Sequence, residues 1–236
     1  MKKYPFISMA LIILFFALLA ITVPLLRTAK KEEKKEIVAE IRVPEISVQE
    51  KKAQFKSAIV PAVSEVHADL MQRYQDIAAL VLADHNNDRL IALKKEYKAT
   101  NNEELLMALK PHPQSIAIAQ AAMESSWATS RFFREAYNVF GIWSFNKDEA
   151  RIAAGEKRGE KTIWIKKYGS VKASIRDYYR TLARGNAYRE FRILKMETNN
   201  PHELVKKLDR YSEKGAEYGK ELSAIIRFNN FTIYDQ

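Results

Sequence analysis

The 236-residue chain carries 39 Lys and Arg against 29 Asp and Glu, a formal net charge of +10, and no cysteine. That length allows one globular domain plus an appendage. The lack of cysteine excludes a disulfide framework, a thiolate metal site, a cysteine nucleophile and lipidation at cysteine, while the basic balance suits a polyanionic partner.

Lys2 and Lys3 precede an uncharged run, Phe6 to Leu26. About 20 apolar residues cross a bilayer core as a helix. Leu18-Leu19-Ala20 offers a cleavage site, so residues 1–27 read as a signal segment or, given the length of the run, as a retained transmembrane anchor. Arg27, Lys30, Lys31, Lys34 and Lys35 follow the run, a flank that by the positive-inside rule opposes export. Residues 28–52 are dense in charge, lack aromatics and contain Pro44; they read as a stalk.

Residues 53–110 read as a helical segment. Val63, Val66, Leu70, Tyr74, Ile77 and Val81 recur at helical spacing. Asn86-Asn87-Asp88 breaks the pattern, and a second helix carries Leu90, Leu93 and Tyr97. Thr100 with Glu103 forms a capping box for a third helix through Leu105, Leu106 and Leu109, which Pro111 and Pro113 end.

Residues 111–236 then read as the main domain. The stretch from Gln114 to Phe133 predicts a core helix with Ile116, Ala119, Met123 and Trp127 on one face. Gly141 turns the chain away. Residues 151–168 predict a hairpin turning near Glu156 to Glu160, because its second flank is β-branched and aromatic. Ser170 caps a helix through Val171, Ile175, Tyr178, Tyr179 and Leu182. Asn200, Pro201 and Glu203 open another, and a last helix carries Tyr218, Leu222, Ile225 and Ile226. The fold class is mostly α with one small β element.

The chemistry available is narrow. The four histidines, His67, His85, His112 and His202, lack ligand spacing and fall at helix ends and surfaces. His202-Glu203-Leu204 lacks the second histidine of a zinc-protease motif. No phosphate-cradling glycine loop and no GxSxG elbow occurs. Neither a metal nor another cofactor is expected, and carboxylate chemistry remains. Glu124 lies in an otherwise apolar, small-residue helix, with Gln120 one turn back and Trp127 one turn on. A carboxyl in a partly dry cleft has its charged form disfavoured and can stay protonated to donate a proton. An exposed glutamate on a helix edge would read the same way locally.

The stretch Ala117 to Trp143, AIAQAAMESSWATSRFFREAYNVFGIW, resembles the signature of bacterial glucosaminidase-domain proteins, endo-β-N-acetylglucosaminidases that act on peptidoglycan. Glu124 in its AQAAxES core, then Trp127, then Ser130-Arg131-Phe132, then Asn138-Val139-Phe140-Gly141-Ile142 match in order. YGSVKASIRDYYRTL and DRYSEKGAEYGKEL match the later blocks. The Bax-like branch, with a helical segment before the domain, is the nearest in layout. Ser126-Trp127-Ala128 departs from the family's usual Gly-Trp-Gly, and Tyr137 replaces the first of two asparagines.

The resemblance implies a lysozyme-like α-lobe facing a β-hairpin lobe, with Glu124 as general acid and a second carboxylate on the hairpin, Glu160 or Glu156. It implies a cleft tyrosine, matched by Tyr211. Trp143 is the leading candidate to stack on sugar, with Phe140, Tyr178 and Tyr211 also considered, and Gln120, Trp127 and Asn138 complete the candidate substrate-binding set. A hairpin carboxylate roughly 6.5–9.5 Å from the acid would give inversion; the substrate's own acetamido group would give retention. The expected partners are a peptidoglycan glycan strand and, through the N-terminal helix, the inner membrane, with the domain in the periplasm and no nucleic acid bound. A lytic transglycosylase-like enzyme and a non-catalytic, membrane-tethered peptidoglycan scaffold are the competing expectations.

Overall fold

The computed structural model describes residues 46–236 apart from Asn86 and residues 159–160, and the side chains of residues 156–158 are also outside the description. The expected anchor and most of the stalk therefore lie outside the described residues. Among those described, no helix is long and apolar enough to cross a membrane.

Helix α1, Val48–Ala83, has 36 residues, about 54 Å at 1.5 Å per residue. It includes the last five residues of the segment read as a stalk. Phe55, Ile59, Val63 and Val66 form its buried stripe at i+3/i+4 spacing. Pro61 falls on the exposed side. Helix α2, Asp88–Tyr97, starts from Asn87, whose side chain accepts from the Arg89 amide. Helix α3, Asn102–Leu109, corrects the expected cap by one residue. Asn101 is the N-cap and accepts from the Glu104 amide, and Glu104, not Glu103, accepts from the Thr100 amide and hydroxyl. The asparagine side chain serves the N3 amide of Glu104, one residue beyond the Glu103 amide that a Thr100 cap would serve.

Helix α4 is shorter than expected, Gln114–Glu124. It ends in a Schellman motif: the Trp127 amide donates to the Ala122 carbonyl and the Ser126 amide to the Met123 carbonyl. Ser126, Trp127 and Ala128 all take positive φ, 52°, 62° and 64°. Trp127 is thus not on the helix one turn past Glu124. The short helix α5, Arg131–Ala136, follows.

Strands β1, Arg151–Arg158, and β2, Lys161–Lys166, pair antiparallel. The register slips between Ala153 and Lys157, where Gly155 has φ +91°, a β-bulge that a glycine accommodates. Trp143 bridges to Ile165 and extends the sheet by one residue pair.

Helix α6, Val171–Arg184, is capped by Ser170 as expected. Helix α7, Arg189–Glu197, has no counterpart in the sequence reading. It buries Phe191 and Lys195. Helix α8, Pro201–Leu204, starts at Asn200 with proline in its first turn, and α9 spans Ala216–Phe228. Three single 3₁₀ turns, Asn186–Tyr188, Val205–Lys207 and Phe231–Tyr234, join or end these helices.

Val48–Gln236 forms one compact unit. Its main core joins Phe55, Ile59, Val63 and Val66 of α1 to Ile116 and Ile118 of α4, Ile175 and Tyr178 of α6, and Leu222 of α9. A second cluster gathers Ile77, Val81, Leu90, Leu93 and Leu105. The architecture is mostly helical with a small two-stranded sheet.

Candidate active site

Helix α4 is almost wholly buried, and Glu124 is its last residue. The Schellman turn directs the chain away immediately after it. The Ser125 hydroxyl donates to the Ala121 carbonyl and accepts from the Ala128 amide, which locks that turn. The carboxyl therefore sits at the negative end of the helix dipole, where a second negative charge is disfavoured.

Behind it runs a line of buried polar groups. The Tyr218 hydroxyl, from α9, lies 2.8 Å from Glu124 Oε1. One end of the Gln120 amide lies 2.8 Å from the Tyr218 oxygen. Its other end lies 2.5 Å from the Tyr178 hydroxyl, from α6. His112 Nε2 lies 3.1 Å from the same Tyr178 oxygen, and its Nδ1 lies 3.0 Å from the Pro113 carbonyl. Three helices thus each supply one member, and a loop histidine closes the line.

Burial pushes the Glu124 carboxyl above its ordinary pKa; the Tyr218 hydrogen bond and the Lys214 ammonium pull it back. Burial pushes the Tyr218 phenol well above its ordinary pKa, with Tyr211 and Glu124 adding to it. His112 is pushed down to about 3 by burial and by the neighbouring Lys195 charge. The ring is neutral at ordinary pH.

The sequence candidates separate into two groups. Gln120 is fully buried and both ends of its amide are engaged. Tyr211 stacks on Tyr218, ring centroids 5.4 Å apart and 14° between planes, so it backs the tyrosine that touches Glu124. Its phenol is pushed well above the ordinary value by burial and then by the Glu124 charge. Tyr218 itself entered the sequence reading only as a core position.

The second group is held elsewhere. Trp127 packs edge-on against Phe55 at 5.1 Å, with the Lys52 ammonium 4.8 Å above its ring. Phe140 is 3% exposed and stacks on Tyr178 at 3.9 Å, so protein covers its faces. Asn138 is buried; its Nδ2 donates to the Ile142 and Lys166 carbonyls and its Oδ1 accepts from the Ile142 amide. These bonds tie the 138–142 loop to β2 and use the whole amide. Trp143 is 39% exposed and lies 6.2 Å from the more exposed Phe145. That aromatic pair is open to solvent, and Phe145 is absent from the sequence reading. Glu160 and the Glu156 side chain lie outside the described residues. His112, expected at a surface, is 1% exposed, because α6 and α7 close over it with Tyr179 stacked at 4.5 Å and Phe191 edge-on at 5.5 Å.

Among the described residues no group of three or more His, Asp or Glu could hold a metal ion. The arrangement is a half-buried carboxyl hydrogen-bonded to a buried tyrosine, suited to giving up or accepting one proton.

The family described as mannosyl-glycoprotein endo-beta-N-acetylglucosaminidase matches residues 102–231. Protein bax of Escherichia coli strain K12 is 30% identical over 127 residues, which cover 51% of this chain and 44% of that protein; the match thus spans less than half of the curated relative's length. The catalytic domain of the autolysin Auto from Listeria monocytogenes superposes with a TM-score of 0.51 at 20% identity, over 86% of this chain and 97% of that one. At that identity the likeness shows the fold.

Proposed function

This chain belongs to the glucosaminidase family, and from that footing we propose that it is a peptidoglycan hydrolase that cuts glycan strands at N-acetylglucosaminyl bonds, with Glu124 as general acid. The observation that carries this reading is the carboxyl at the end of α4, raised in pKa by burial and hydrogen-bonded to Tyr218. A general acid must hold its proton at working pH and lie next to a group that can steady the charge left behind.

In this mechanism protonated Glu124 gives its proton to the glycosidic oxygen. The bond from that oxygen to the anomeric carbon breaks, and its electron pair leaves with the oxygen. The oxocarbenium-like centre is then trapped by water, or first by the oxygen of the substrate's acetamido group. Water supplies hydroxide to the anomeric carbon and its remaining proton restores Glu124 or loads a hairpin carboxylate. The Tyr218 hydroxyl donates to the carboxylate after proton transfer. Tyr211 supports Tyr218 by stacking. Glu160 or Glu156 would supply the second carboxylate, and Trp143 with Phe145 an exposed platform for a sugar ring.

Peptidoglycan lies outside the cytoplasmic membrane, so the proposal has the domain there, held by the apolar run of residues 6–26 or released by its cleavage. A periplasmically active reporter at the C-terminus tests that placement; activity of a cytoplasm-only reporter contradicts it.

Mass spectrometry of products from purified peptidoglycan tests the reaction. The proposal expects new reducing N-acetylglucosamine ends with one water added per cut. Anhydro-sugar ends would make the protein a lytic transglycosylase, and an undigested polymer would make it a binding protein.

A further inference from the structure

The line of hydrogen bonds behind Glu124 ends at a group whose proton position is set by its surroundings. The Pro113 carbonyl can only accept. A neutral His112 ring satisfies that contact by carrying its proton on Nδ1. Its Nε2 is then a lone pair, and the Tyr178 hydroxyl 3.1 Å away must donate to it.

Each hydroxyl has one proton, and the consequence runs along the line. Tyr178, having donated to His112, can only accept from Gln120, so the amide turns its nitrogen to Tyr178 and its oxygen to Tyr218. Exchanging the two ends of an amide leaves the heavy-atom positions unchanged. Tyr218 then donates to the amide oxygen, and in the resting site Glu124 must donate to Tyr218, a proton that leaves this bond when the glycosidic oxygen takes it. A carboxyl donates only when protonated.

The opposite direction serves ionised Glu124. Tyr218 donates to the carboxylate, Gln120 to Tyr218, and Tyr178 to Gln120. That arrangement leaves no proton between the Tyr178 oxygen and His112 Nε2 unless the ring becomes a cation or gives up its bond to Pro113. Both are costly in a site this buried.

We propose that His112 is a positioning residue: it sets the direction of the His112–Tyr178–Gln120–Tyr218 line and so holds Glu124 in its protonated form. The proposal rests on Glu124 being the acid only for its catalytic meaning; the coupling itself is a property of the line. The charged and titratable groups around the two ends do not replace this role. His112 is faced by His67 from α1, Tyr178 and Tyr179 from α6, and Lys195 from α7. These include no carboxylate that would favour an imidazolium. Glu124 is faced by Tyr218 from α9 and by Tyr211 and Lys214 from the segment before it, and Lys214 opposes protonation.

His112→Phe keeps the ring that stacks on Tyr179 and removes the lone pair. The Pro113 carbonyl keeps a partner in the Ile116 amide at 3.2 Å. Tyr178 becomes free to donate to Gln120, and ionisation of Glu124 loses its penalty. The test uses the full chain labelled with ¹³C at glutamate carboxyls, the Glu124 signal being the one absent from Glu124→Gln. His112→Phe is expected to lower the Glu124 titration by about one pH unit, tenfold in its ionisation constant, and to move the alkaline limb of kcat/KM down with it. Tyr178→Phe breaks the line at its middle and is expected to shift the titration the same way. The double substitution should shift it no further than either alone. An unchanged titration in folded His112→Phe, or additive shifts, overturns the proposal. A measurement without substitution guards against a variant that fails to fold: ¹⁵N shifts of His112 should report a neutral ring protonated at Nδ1, and an Nε2–H ring overturns the proposal. If the titration moves as expected while Glu124→Gln retains full activity, the line's direction is upheld and the catalytic role of Glu124 falls.

Discussion

At the scale of single residues, Glu124 carries two opposed demands. The core around α4 disfavours its charge, whereas the chemistry proposed for it passes through the charged form. Its native pKa is raised, so the native state holds that proton more tightly than the unfolded chain. The resulting stability is fully present below the unfolded pKa and is lost as pH rises through the native one. Glu124→Gln keeps an acceptor for Tyr218 and removes the charge. It should raise the melting temperature at neutral pH, and the gain should vanish below the ordinary carboxyl pKa. A gain that persists in strong acid would mean that burial of the charge is not its source. In the sequence, Glu124 was legible because one carboxyl interrupts a run of small apolar residues. Tyr218 was not, since nothing local distinguishes it from Tyr211 seven residues earlier; only the docking of α9 against α4 decides which hydroxyl reaches the carboxyl. His112 looks peripheral in the sequence because its burial comes from α6 and α7, far along the chain.

At the scale of elements, two local strains have measurable consequences. Ser126 occupies the left-handed position of the Schellman motif after α4, the position where the family usually has glycine. Left-handed backbone costs a residue with a β-carbon roughly 1–2 kcal/mol. Ser126→Gly should therefore stabilise the fold by about 1 kcal/mol in chemical denaturation, and a destabilised variant would contradict the strain. In the sequence α4 runs on through this turn because alanine and serine permit helix on both sides, and the missing glycines hide the stop. Helix α7 is the second case. Lys195 and Lys110 each donate from Nζ to the other's carbonyl, and burial with nearby Arg192 and Lys110 pushes Lys195 down to about 7. Its stability contribution is intact above the unfolded lysine pKa and declines as pH falls to about 7. Lys195→Met should raise the melting temperature most near and below neutral pH, with the gain shrinking toward pH 10. A lysine at a core position also explains why α7 escaped a reading based on apolar periodicity. Ser170 and Asn200, by contrast, announce α6 and α8 through side chains that bond within the next three residues.

At the scale of the whole molecule, α1 is part of the same core as the site. Phe55, Ile59, Val63 and Val66 are fully buried in the core that α1 shares with α4 and α6, and burial of each contributes about 1.5–3 kcal/mol. Together these approach the 5–15 kcal/mol of a typical domain's net stability. A chain beginning at residue 102, the start of the family match, should therefore fail to fold, whereas one beginning at residue 46 should unfold cooperatively. A stable, cooperative 102–236 would contradict the shared core. The periodicity of α1 was visible in the sequence; its membership of the site's core was not, because that depends on contacts more than fifty residues apart.

In the proposed reaction Glu124 is the group that protonates the glycosidic oxygen. The most direct test of this is release of soluble fragments from purified peptidoglycan by the wild-type chain and by folded Glu124→Gln. Glu124→Gln should lose about 10²–10⁴-fold of the rate, the usual contribution of a general acid, and show the higher melting temperature at neutral pH. A Glu124→Gln protein that digests peptidoglycan at the wild-type rate would contradict it.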